Sequence, residues 1–157
     1  MARYQRRTRV AAPLDDVWAF HSRIEGLEAL TPDWMNLRVE TVRGPDGEED
    51  PTVLEAGTLI WLSTRPFGVG PRQEFVSRIV SREEGEGTAT FTDDMVRGPF
   101  RRWEHTHRFF ADGDETVVED DVQYEFPAGD RVLGPLSVVG FEPMFRYRHR
   151  KTRELLE

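Results

Sequence analysis

The sequence predicts an α+β domain: a curved antiparallel sheet wrapped around a long C-terminal helix, with two short helices after the first strand. Three observations carry this. Strand-like segments follow one another with only short turns between them, which favours antiparallel pairing. Several of these segments alternate apolar and charged residues, so the sheet buries one face. The last stretch alone has helical spacing over a length sufficient to cover such a sheet.

Residues 3–11 alternate, with Tyr4, Arg6, Thr8 and Val10 on one face and Gln5, Arg7 and Arg9 on a basic solvent face. Pro13 ends the strand and opens a helix. LDDVWAFHSRIEGLEAL spaces Leu14, Val17, Trp18, Ile24, Leu27 and Leu30 as two short helices broken near Ser22, and Thr31-Pro32 stops them. Strand character returns from Met35 through Leu37, Val39 and Val42. Residues 43–57 are acidic, with three Gly and two Pro, and predict a long exposed loop.

Strands follow at 58–65 and 72–82, separated by PFGVGP, and EEGEG forms a tight acidic turn before TATFTD. Asp93 and Asp94 are expected in a solvated turn or as partners of Arg97. Gly98-Pro99 introduces the strand 100–110, and ADGDE is an Asp-Gly hairpin turn ahead of the strand 116–126. The C-terminal helix contains Pro143, which predicts a kink or break near Gly140–Pro143. Met144, Tyr147, Lys151 and Leu155 should share its face beyond that point, with Leu136 and Val139 on the matching face before it.

At 157 residues the chain suits one domain, 1–157, with a sizeable core. A formal charge of -8 repels phosphate backbones and anionic headgroups, which argues against nucleic acid and membrane as partners. Lys151 is the only lysine, and an acidic, Arg-using surface suits a salt-rich cytosol, although a GC-rich genome would also favour Arg. The absence of cysteine excludes disulfides, thiol catalysis and Cys-ligated metals. The basic N-terminus lacks the apolar run of a signal peptide and no later stretch is long enough to span a bilayer, so a cytoplasmic location is expected.

The segments FTDDMVRGPFRRWEHTHRF, TVVEDDVQYEFPAG and MFRYR, with APLDDVWAF and LEALTP near the start, resemble the SRPBCC superfamily. These START-like helix-grip proteins include polyketide cyclase/dehydrase-like members. The resemblance covers nearly the whole chain and implies a cavity between sheet and helix for a small hydrophobic ligand such as a lipid, isoprenoid or polyketide. The loop 43–57 and Pro143 depart from the usual pattern. An apolar wall of Trp61, Phe75, Phe91, Trp103, Phe109 and Met144 is expected, with His105, His107, Asp120, Tyr124 and Arg148 as polar groups.

In strand 100–110, Trp103, His105, His107 and Phe109 point one way; in strand 116–126, Thr116, Val118, Asp120, Val122, Tyr124 and Phe126 form the matching inward set. Glu119, Asp121, Gln123 and Glu125 are left for water. The inward imidazoles allow three readings: a satisfied polar network, the polar end of a ligand cavity, or a metal site of His105, His107 and Asp120. No fourth ligand is evident and no metal or cofactor is expected. A cyclase/dehydratase-type enzyme would use His105, His107, Asp120 and Tyr124 as its acid–base set. An interaction module with a filled core, or a homodimer, also fits. His21 and His149 are expected on helix surfaces, and Trp18, Trp34 and Trp61 in the core or cavity wall.

Overall fold

The computed structural model of the chain describes residues 2–127 and 130–157, with side chains described outside 130–140. The elements run β1 (Ala2–Val10), α1 (Leu14–His21), α2 (Ile24–Ala29), β2 (Arg38–Arg43), β3 (Leu59–Thr64), β4 (Gln73–Gly85), β5 (Thr88–Arg97), β6 (Arg102–Asp112), β7 (Glu115–Glu125) and α3 (Asp130–Leu156). All seven strands join one antiparallel sheet in the order β1-β7-β6-β5-β4-β3-β2. The sheet curves, and its inner face receives α1, α2 and α3, the helix-grip arrangement that the strand order predicts. Register shifts at Val76/Ser77 and Ile79/Ser81 interrupt the β4–β5 ladder, and such irregularities bend a strand. Tight turns close the long hairpins; at the β6–β7 turn Gly113 takes φ 61 with open space around it, a conformation glycine adopts without strain.

Two clusters fill the interior. Val17 and Trp18 of α1 pack on Phe91, Phe109 and Val118 of the sheet. Tyr4, Val122 and Tyr124 pack on Phe141 and Phe145 of α3. The Trp18 ring meets Phe109 edge-on at 5.4 Å and carries the Arg82 guanidinium 4.2 Å over its face.

Several expectations change. Glu119 and Asp121 do not go to water: they are 5% and 2% exposed, covered by arginines from adjacent strands. Arg3 donates to both oxygens of Asp121, and Arg108 reaches Glu119 at 2.8 Å and Asp121 at 3.0 Å. The basic side of β1 is therefore matched to the acidic side of β7, not left free. β4 continues through Glu83 and Glu84, and β5 through Asp93 and Asp94, so these acidic residues are strand residues and not turns. The segment 43–57 is tied down, with the Leu54 N–H donating to the Ser22 carbonyl and Leu54 itself buried.

Pro143 does not end α3, which continues to Leu156. The buried face of that helix is Phe141, Phe145, His149 and Thr152, while Leu155 is 47% exposed. The expected face through Tyr147, Lys151 and Leu155 is rotated away because polar His149 and Thr152 occupy the true seam. Leu136 and Val139 lie outside the described side chains. No helix among the described residues is long and apolar enough to cross a membrane.

Candidate functional site

Between the sheet, α2 and α3 lies a cavity of about 490 Å³. Strand alternation decides who lines it. Phe75 of β4, Phe91 of β5 and Trp103 of β6 point inward, and Met144 closes the space from α3. Trp34, from the connection between α2 and β2, adds a wall element and stacks on Phe67 with ring centroids 4.9 Å apart. Four polar side chains meet in one part of its lining: Asp93 from β5, His105 and His107 from β6, and Arg148 from α3, while Thr31, Thr64, Gln73, Ser77 and Asp94 line it elsewhere.

Register explains their assembly. His105 lies opposite Asp93 on one side, and His107 opposite Asp120 on the other. Both hydrogen bonds run diagonally across these pairs: His107 Nε2 donates to Asp93 Oδ2 at 2.9 Å, and His105 Nε2 donates to Asp120 Oδ1 at 2.8 Å. Phe91, His107 and His105 stack as a column, with centroids 3.9 Å and 3.7 Å apart, and Trp103 meets the last ring edge-on. The second oxygen of Asp120 accepts from His149 Nε2 at 2.5 Å, so α3 is anchored to β7 through a buried imidazole.

This arrangement sets the charges. Burial opposes ionisation of Asp120, yet hydrogen bonds from His105 and His149, close approach of His107 and the charge of Arg148 outweigh it, holding the carboxyl well below its usual range. The same balance, led by burial against the His107 hydrogen bond, lowers Asp93. Burial, followed by the charge of His107, lowers His105 and favours its neutral form. With Nε2 donating to Asp120, neutral His105 keeps its lone pair on Nδ1, 3.9 Å from Asp93 Oδ2.

Four sequence-predicted residues do not reach the cavity. Phe109 is fully buried against Trp18 and His21, Asp120 is 1% exposed behind the histidines, and Tyr124 is 2% exposed among Tyr4, Phe126 and Phe141. Trp61 belongs to the other sheet face, where it lines a separate space of about 300 Å³ beside Arg43. Neighbours Ile60 and Leu62 of β3 face the cavity, so alternation excludes Trp61 from it.

Sequence reasoning missed Asp93, His149 and His21. The alternation Ala89, Phe91, Asp93 would have placed Asp93 inward, had its charge not suggested a turn. His149 follows Phe141 and Phe145 at four-residue spacing. His21 is 6% exposed and its Nδ1 donates to the Val17 carbonyl at 2.8 Å. Both histidines are buried, not on helix surfaces.

Asp93, His105 and His107 bring one ligand atom each within 4.8 Å of the others, the set best placed to hold a metal ion among the described residues. Their imidazoles stack face to face at 28°, however, and stacked rings point their lone pairs in parallel, which suits hydrogen bonding more than a converging coordination sphere.

Residues 10–148 match the family model described as polyketide cyclase / dehydrase and lipid transport. The chain belongs to this family. The family is of the SRPBCC type that the strand motifs resemble, and its match runs from Val10, at the end of β1, to Arg148. Solved structures agree on the fold. A protein from Thermus thermophilus superposes with a TM-score of 0.67 at 17% identity, covering 97% of this chain and 94% of its own. Norcoclaurine synthase from Thalictrum flavum, in complex with dopamine and hydroxybenzaldehyde, superposes with a TM-score of 0.66 at 19% identity, covering 98% and 84%. A protein from Arthrobacter aurescens gives 0.70 at 13% identity, covering 99% and 86%. No curated protein matches the sequence.

Proposed function

We propose that this member of the polyketide cyclase/dehydrase and lipid transport family binds one small, mostly hydrophobic molecule, of lipid, isoprenoid or polyketide type, in the cavity between sheet and α3. It works in the cytoplasm and without a resident metal or cofactor. The observation that carries this reading is the cavity itself: about 490 Å³, walled by Phe75, Phe91, Trp103 and Met144, with Asp93, His105, His107 and Arg148 clustered in one part of it. An apolar wall supplies affinity and that charged cluster supplies orientation. Native mass spectrometry of the purified protein, with solvent extraction of whatever co-purifies, tests it. A stoichiometric apolar molecule is expected; an empty protein that also fails to bind a hydrophobic dye saturably would sink the reading.

A second reading rests on His105. Its imidazole stands at the cavity wall, oriented by Asp120 and kept neutral by burial, with Nδ1 as acceptor. That is the disposition of a general base, able to take a proton from a carbon between two carbonyls in a cyclase/dehydratase reaction. His107 and Asp93 complete the polar set, in place of Tyr124 and Asp120, which stand back from the cavity. Turnover of a poly-β-keto substrate, lost in His105→Gln with binding retained, would favour it.

A further inference from the structure

We propose that the ligand is an acid, an apolar body ending in a carboxylate that the Arg148 guanidinium holds. This rests on the ligand-binding reading above. Arg148 enters from α3, lines the cavity, and keeps 13% of its side chain exposed. Its nearest carboxylate oxygen, Oδ1 of Asp120, lies 3.9 Å from Nε, beyond hydrogen-bond reach. Asp120 is already served: its two oxygens accept from His105 and His149. Among the described residues, the Arg148 guanidinium donates no hydrogen bond at all.

Several arginines that cover the outer sheet face are disposed differently. Arg3, Arg78 and Arg108 each donate to side-chain carboxylates at hydrogen-bonding distance. A guanidinium is always charged and carries five N–H donors, so leaving it unpartnered in a largely apolar space costs free energy that a bound acceptor recovers. Its planar fork matches a carboxylate in two parallel hydrogen bonds, a fit that a lone carbonyl cannot reproduce. Phe75, Trp103 and Met144 stand in the same cavity to receive the apolar body.

Titration of the purified protein with two acid and methyl-ester pairs, naphthoic and lauric, tests this through quenching of tryptophan fluorescence. The acid of at least one pair should bind about tenfold or more tighter than its ester. Arg148→Met should remove that preference while the ester affinity stays within about twofold, which also reports an intact cavity. Should Arg148→Met not fold, Arg148→Gln carries the same comparison. Equal affinity of acid and ester in the parent protein, or a preference that survives loss of the guanidinium, would overturn the proposal and leave ligand binding standing. Failure of every acid and ester to bind would remove the ligand-binding reading, and this inference with it.

Discussion

His21 and His105 are imidazoles stored where charge is unwelcome. Burial, followed by the charge of Arg148, pushes His21 down to about 3 from its ordinary 6.5; burial and the charge of His107 lower His105. Because both folded pKa values lie below the unfolded ones, the stability these groups contribute is full above 6.5 and is lost as pH falls from there towards about 3. Each pH unit crossed costs about 1.4 kcal/mol per group that stays neutral in the fold. Asp93 and Asp120, also lowered, lose their contribution further down, in the same direction. Urea midpoints should therefore fall steadily as the solution is acidified below 6.5, and His21→Met should flatten the slope by roughly one proton. An unchanged slope in that variant would mean that His21 is not held neutral. Both histidines of β6 were legible as inward from alternation alone, whereas the helix histidines were not. A polar residue on a helix face signals burial only when its partner is known, and Asp120 is distant in sequence from His149.

Between α1 and α2 the chain turns so closely that a side chain has no room. A Cβ at Gly26 would stand 2.2 Å from the Phe20 carbonyl oxygen, a contact with backbone that no rotamer change relieves. Gly26→Ala should cost about 2 kcal/mol or more, because the two helices must separate and α2 forms part of the cavity wall. Chemical denaturation checks it; a loss under about 0.5 kcal/mol would show that the helices can part freely. The broken helix pair itself was readable from the spacing of Val17, Trp18, Ile24 and Leu27. Pro143 was readable as a helix hazard but not as one tolerated. Tolerance depends on packing of Phe141 and Phe145 against the sheet, which holds the helix on course from either side of the proline.

Over the whole molecule, a formal charge of -8 sets long-range repulsion against a ladder of arginine–carboxylate pairs on the outer sheet face. Screening weakens both. Exposed pairs contribute up to about 1 kcal/mol each, and those covering Glu119 and Asp121 are partly shielded from salt by burial of the carboxylates. The repulsion acts across the open surface, where the screening length falls from about 10 Å at 0.1 M salt to about 3 Å at 1 M. Repulsion should lose more, so the melting temperature should rise with potassium chloride. A midpoint that stays level or falls would remove the salt-adapted reading of this surface.

By itself the sequence determined the succession of strands and helices, the inward faces of β1, β6 and β7 and the presence of one covering helix, because side-chain alternation and turn chemistry are local properties of the chain. It also placed His105 and His107 on the inner face, and its motifs pointed to the family. Only the tertiary structure decided which inward residues face a cavity and which are sealed behind it. Phe109, Asp120 and Tyr124 share the inward register of Trp103 and His107, yet α1 and α3 cover them. Only the fold could join Asp93, Asp120, Arg148 and His149, since these groups come from β5, β7 and α3 and meet through cross-strand register and helix docking. Alternation tells which side of a sheet a residue takes; what lies on that side is set by packing of distant segments, which no local pattern encodes.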